Sequence, residues 1–178
     1  MRKIILYIAA SIDNYIAKTD GKVDWLDDPD FALQEGEDYG YDDFYKSIDT
    51  TLMGNATYQE VLGFDVPFPY PDKTNYVFSR SKQEGKHEFV KFISSDIVKF
   101  ITELKEKDGK NIWLVGGGQI NTIFLENGLI DQIILTIIPI TLGDGIPLFQ
   151  KGAIETKFVL EKNQTFKSGL VQLTFNKK

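Results

Sequence analysis

Residues 3–10, KIILYIAA, run almost without a polar interruption. A strand with one face in water alternates apolar and polar residues. An unbroken apolar run of this length belongs to a strand covered on both faces, as in a parallel sheet with helices on either side. Much of the chain agrees with that reading. TTLMG (50–54), NYVFS (75–79), EFVKFI (88–93) and NIWLV (111–115) read as further short buried strands. Helical patterns come between them: ATYQEVL with Asn55 as its cap, Ile97, Ile101 and Leu104 behind Ser95 and Asp96, and QINTIFLEN with Ile120, Ile123 and Phe124 on one face. Beyond Gly128 the pattern changes. QIILTIIPI, KFVLEK and LVQLTF follow one another with no helix between, so antiparallel pairing is expected there. The expected fold is α/β, a mixed, mainly parallel sheet flanked by helices with antiparallel C-terminal strands, in one domain spanning residues 1–178.

Composition narrows the functional classes. With 178 residues, 42% hydrophobic and 13% aromatic, the chain can bury a substantial core. No apolar run approaches the roughly 18 residues of a membrane span, so no membrane partner is expected. The stretch Ile4–Ala10 runs into Asp13 without a small-residue cleavage pattern, and reads as a strand rather than a leader. The absence of cysteine excludes disulfides and thiolate chemistry, and a cytoplasmic location is expected. A net charge of −6 argues against nucleic acid as a partner. Residues 1–50 hold 12 acids against 5 bases, so the remainder is close to neutral and compatible with an anionic ligand. The stretch from Asp13 to Asp43, punctuated by Gly21, Pro29, Gly36 and Gly40, is the longest weakly patterned region and reads as a functional loop. Its acids match no Ca²⁺ loop. His87, between Lys86 and Glu88, reads as exposed and inert, and with no second His or Cys no metal site is expected.

Three polar strand ends carry the chemistry. In LVGGGQI a buried strand ends in Gly116, Gly117 and Gly118, which open a helix at Gln119 and Ile120. Glycine lets backbone approach a bulky anion, and the unpaired N–H groups of a helix start favour phosphate oxygens. The run is neither GxGxxG nor a Walker loop, which leaves ATP hydrolysis without support. In MGNATY a strand again ends in glycine, Gly54, and a helix follows with Asn55 and the Thr57 hydroxyl. In SRS, Ser79, Arg80 and Ser81 suit a terminal phosphate such as the 2′-phosphate of NADP. Taken singly, each also fits a purely structural role. Together they belong along one edge of one sheet.

These residues resemble the dihydrofolate reductase-like superfamily, and within it the stand-alone form of the RibD C-terminal reductase domain. The resemblance covers nearly the whole chain through SIDNYIAKTDGKVDWL, MGNATYQEVL, NYVFSR, NIWLVGGGQINTIFLE and PITLGDGIPLF, the last being the most specific. It implies a homodimer and a reductase taking hydride from NADPH, comparable to the 5-amino-6-(5-phosphoribosylamino)uracil reductase domain of riboflavin biosynthesis. By position, Ala10 and Ile16 would flank the nicotinamide, while Gly54, Asn55 and Thr57 meet the pyrophosphate opposite Gly116, Gly117, Gly118, Gln119 and Ile120. Ser79 and Arg80 would hold the 2′-phosphate. Asp144 would brace the loop after the first strand, and a small-molecule substrate would lie among Asp13, Trp25, Tyr41, Phe44 and Thr136.

Two departures from the family pattern bear on the substrate. In riboflavin-pathway members a Glu commonly precedes the Gly pair of the later motif, where this chain has Gly116. Separately, Asn55 stands where Arg is usual in the Gly-Arg-x-Thr-Tyr motif, which removes one cationic contact to the cofactor. The carboxylate that anchors the pterin in dihydrofolate reductases would fall at Gly40 or Tyr41, with Asp38, Asp42 and Asp43 as neighbours. The motifs identify no proton donor. Dihydrofolate reductase is the rival enzyme reading, and an NADP-binding protein without turnover is the rival that is not an enzyme.

Overall fold

The computed structural model describes residues 1–32, 37–81 and 88–178, so Gly36 and His87 lie outside the described residues. The long sheet contains β1 (Ile4–Ser11), β3 (Ile48–Gly54), β4 (Thr74–Phe78), β5 (Val90–Ile93), β6 (Asn111–Gly116), β7 (Gln132–Ile138), β9 (Phe158–Thr165) and β10 (Val171–Lys177). Their order is β5-β4-β3-β6-β1-β7-β10-β9, parallel from β5 through β7 and antiparallel from there on. A separate ribbon pairs β2 (Tyr15–Ala17) with β8 (Ile146–Pro147). The helices are α1 (Tyr41–Ser47), α2 (Asn55–Leu62), α3 (Ile97–Glu106) and α4 (Gly118–Glu126).

The apolar run at β1 is explained by its place. It lies between β6 and β7, and alternate residues enter different cores. Ile4 and Leu6 pack with Leu52, Ile101, Leu114 and Phe124 beneath α3 and α4. Ile5 and Tyr7 pack on the opposite face with Phe44, Met53, Tyr58 and Trp113, beneath α1 and α2. Phe124 is fully buried, and its truncation to Ala would cost about 3–5 kcal/mol. A third, smaller cluster joins Trp25, Ile138, Phe166 and Leu170, with Ala9 and Tyr39 against it.

Local chemistry sets the helix ends. Asp96, rather than Ser95, caps α3, its carboxylate accepting from Lys99 N at 3.1 Å. Asn55 is the first residue of α2 and not its cap. Gly54 holds that position, and no side chain bonds the first turn. The stretch expected as loop from Asp13 to Asp43 contains β2, two 3₁₀ turns at Asp24–Asp27 and Pro29–Phe31, and the start of α1. Periodicity could not reveal these short elements, since the helical ones are one or two turns long and β2 is only three residues.

Candidate functional site

The parallel strands β1, β3, β4 and β6 all finish at one edge of the sheet, where ligands of such folds bind. β3 and β6 are neighbours, and each leads directly into a helix, α2 or α4. Neither helix start is capped by a side chain. Two sets of unpaired N–H groups, with the positive ends of two helix dipoles, therefore lie side by side.

The three consecutive glycines have separate reasons. Gly116 has φ +121°, a conformation that side chains disfavour. A Cβ at Gly118 would stand 2.2 Å from the Pro147 carbonyl oxygen, so glycine there lets β8 close on α4. Gly117 has φ −92°, so positive φ is not what requires glycine here. Its Cβ would instead lie 3.2 Å from Thr57 Oγ1 and 3.9 Å from Ile16 Cδ1. The Gly116–Gly117 peptide bond is cis. Across the cleft, Gly54 admits Ile120, whose Cγ1 would be 3.1 Å from a Cβ at that position. Gly54, Thr57, Gly117, Ile120 and Ile16 thus converge. Gln119 is exposed on the first turn of α4, and Ala10 is fully buried opposite Ile137 of β7. Asn55 keeps a buried acceptor, Oδ1, with no partner among the described residues. Ser79 is half-buried and Arg80 exposed just past β4, with Ser79 Oγ and Ser81 Oγ 3.4 Å apart.

Asp13 and Asp144 divide their roles differently from the sequence expectation. The Asp144 carboxylate accepts from the adjacent Gly145 N at 2.8 Å. Asp13 makes the tie between the loop after β1 and the LGDG segment, accepting from Gly143 N at 2.8 Å and Leu142 N at 3.1 Å. Ser11 Oγ donates to it at 2.6 Å. That hydroxyl, and then the two amides, hold the carboxyl below its ordinary range. The same segment is tied to α4, where Asn121 Nδ2 donates to the Leu148 carbonyl and Gln150 N to Thr122 Oγ1.

On the opposite side of β1, Ala9, Thr136 and Gln172 form a row across β1, β7 and β10. Gln172 Nε2 donates to Thr136 Oγ1 at 3.1 Å and to the Tyr39 carbonyl at 3.0 Å. Tyr7 Oη donates to the same carbonyl at 3.1 Å. Its ring stacks on Phe44 at 4.4 Å and meets Tyr41 and Trp113 edge-on. Burial pushes the Tyr7 hydroxyl up to about 12, with a Gln172 hydrogen bond opposing and the Asp38 charge adding. Trp25 is 5% exposed in the neighbouring cluster, and its Nε1 has no acceptor among the described residues.

The sequence matches the RibD C-terminal domain family over residues 2–172. The chain belongs to that family. It is 45% identical to YwjB of Bacillus subtilis (strain 168) over 93% of this chain and 92% of that protein. It is 36% identical to YyaP of the same organism over 98% and 95%. A protein from Shewanella sp. PV-4 named for riboflavin biosynthesis superposes with a TM-score of 0.87 at 32% identity, covering 100% of this chain and 99% of that one. The Thermotoga maritima diaminohydroxyphosphoribosylaminopyrimidine deaminase/5-amino-6-(5-phosphoribosylamino)uracil reductase shares the fold, with a TM-score of 0.71 at 15% identity, 99% of this chain and 57% of that one.

In this RibD C-terminal domain the acids near Gly40 stay outside the Tyr7 cluster. Asp38 is exposed, and its carboxylate accepts from Gly40 N at 2.9 Å and Asp42 N at 3.1 Å. Asp42 and Asp43 are exposed on α1. Sequence reasoning missed Tyr7 and Gln172. Tyr7 stood inside an apolar strand and Gln172 inside a C-terminal one. Only the register that aligns Ala9, Thr136 and Gln172 brings them together.

Proposed function

We propose that this chain is an NADPH-dependent reductase that transfers hydride to a small heterocyclic or carbonyl substrate. Its chemistry would be close to that for which the Thermotoga maritima protein is named. The observation that carries this reading is the pair of uncapped helix starts at Asn55 and Gly118, with Gly117 between them, where a Cβ would stand only 3.2 Å from Thr57 Oγ1. Such a cradle fits a pyrophosphate, and the unpartnered Asn55 Oδ1 fits a ribose hydroxyl as donor.

Gly54, Asn55 and Thr57 would hold one side of the dinucleotide, with Gly116, Gly117, Gly118, Gln119 and Ile120 on the other. Ala10 and Ile16 would flank its nicotinamide, and Ser79 and Arg80 its 2′-phosphate. When bound, NADPH supplies the hydride. The chain's part is to orient the substrate, exclude water and keep the β1 loop in place through Asp13. The substrate would lie against Ala9, Thr136 and Tyr41. The exposed position of Asp38 weighs against pterin as substrate.

A screen of NADPH oxidation with 5-amino-6-(5-phosphoribosylamino)uracil, dihydrofolate and simple diketones tests the reading. Turnover is expected with the aminouracil or a diketone, and NADPH binding without turnover on any of them would count against it. We also propose a cytoplasmic homodimer. An apolar groove of about 380 Å³ among Leu135, Phe149, Ile154, Phe158 and Phe175 supports this assembly, and a monomer mass by light scattering at micromolar concentration would refute it.

A further inference from the structure

We propose that Tyr7 is the specificity-determining residue at the substrate end of the cleft, its hydroxyl leaving the Tyr39 carbonyl to donate to a neutral carbonyl or amide oxygen of the substrate. This rests on the reductase reading above and names the group that recognises the substrate.

Around Tyr7 the sheet face under α1 is lined by Ile5, Ile134 and Ile138. Within it Thr136 and Gln172 are buried, 5% and 8% exposed, beside the small Ala9. Buried polar groups are costly unless each has a partner, and here Gln172 and Thr136 are bonded to each other and Gln172 to the Tyr39 carbonyl. The Tyr39 carbonyl has more donors than it needs. Gln172 Nε2 already supplies one at 3.0 Å, and Tyr7 Oη is the second at 3.1 Å. Moving the Tyr7 proton to a ligand therefore leaves no buried group without a partner, and the switch costs little.

The neighbouring backbone is arranged to present that carbonyl. Tyr39 has φ +54° and Gly40 φ +72°, the left-handed region. Tyr39 Oη, bonded to the Phe31 carbonyl at 3.0 Å, and its ring, edge-on to Phe166 at 4.7 Å, hold the strained residue there. Trp25 Nε1, a buried donor with no acceptor among the described residues, packs in the same cluster as Tyr39 and Ala9. The ring of Tyr7 would stack on Phe44 equally well as phenylalanine, so packing alone does not account for the hydroxyl. Gln172 is a positioning residue. Without it Tyr7 becomes the sole donor to Tyr39 and is no longer free to turn.

The test compares the wild type with Tyr7→Phe and Gln172→Met in the full chain. NADPH affinity is measured first by fluorescence titration. Binding of 5-amino-6-(5-phosphoribosylamino)uracil and of a diketone to the NADP⁺ complex is then measured by calorimetry, and KM and kcat wherever a probe turns over. Both variants are expected to bind NADPH as the wild type does. Tyr7→Phe should weaken the probe about tenfold, through KM rather than kcat, and Gln172→Met should weaken it by a smaller factor. Unchanged probe binding in Tyr7→Phe, or no probe bound by a wild type that does bind NADPH, overturns the inference about Tyr7 and leaves the cofactor site standing. A wild type that binds no NADPH overturns the reductase reading itself. If Tyr7→Phe fails to fold, Gln172→Met carries the decision, and unchanged probe binding in it overturns the inference.

Discussion

A side chain at Gly117 would stand 3.2 Å from the hydroxyl of Thr57, so the start of α4 and the start of α2 face each other across the width of a glycine. That spacing leads to the first prediction. Gly117→Val puts a branched side chain into the cleft without demanding a forbidden backbone, because φ at this residue is −92°. The variant is expected to keep the wild-type circular dichroism spectrum and to lose NADPH binding by at least about a hundredfold, the scale of two lost charge-assisted hydrogen bonds. Normal NADPH binding by a folded Gly117→Val would make the glycine run structural only.

Asp13 gives a pH-dependent prediction. Its carboxyl is held below the ordinary 3.8 by the Ser11 hydroxyl and the amides of Gly143 and Leu142. A depressed folded-state value means that the tie is fully present above the ordinary carboxylate range, and is lost as pH falls through the lower value. At neutral pH, Asp13→Ala should speed hydrogen exchange at Leu142 and Gly143 several-fold. The difference from the wild type should shrink as the wild-type carboxyl itself protonates in acid. Equal exchange at neutral pH would show that the 139–145 segment is held by other bonds.

Dihydrofolate should be a poor substrate. The resemblance to dihydrofolate reductases implies that pterin binding needs a buried carboxylate, and here Asp38 is spent on the amides of Gly40 and Asp42 at an exposed turn. A missing partner of this kind corresponds to about 2–5 kcal/mol of lost binding. Steady-state assays should show little turnover of dihydrofolate, and Asp38→Asn or Asp42→Asn should leave turnover of any accepted substrate within twofold. Rapid turnover of dihydrofolate that disappears in either variant would place the acid in the pocket.

The sequence and the fold correspond wherever a pattern is long enough to repeat. The unbroken run in β1 implied cover on both faces, and Ile4 and Ile5 do enter opposite cores. The absence of helical patterning after Gly128 implied antiparallel strands, as found in β7, β10 and β9. Three glycines marked a close backbone approach, but only geometry separates the φ of Gly116 from the Thr57 contact of Gly117 and the Pro147 contact of Gly118. What stayed hidden depends on register or on single hydrogen bonds. Nothing local distinguishes Asp13 from Asp144 as the brace, and nothing in KIILYIAA marks Tyr7 as polar-facing, because its partner Gln172 is more than 160 residues away.

The cofactor claim is tested most directly by titrating NADPH and NADH into the wild type and Arg80→Ala, following tryptophan fluorescence. The account predicts saturable binding of both nucleotides by the wild type, with NADPH the tighter. In Arg80→Ala the preference should fall by about tenfold, the lower end for a charge-assisted pair because Arg80 is exposed. Equal affinities in the wild type would contradict the 2′-phosphate assignment, and no saturable binding of either nucleotide would contradict the cofactor site altogether.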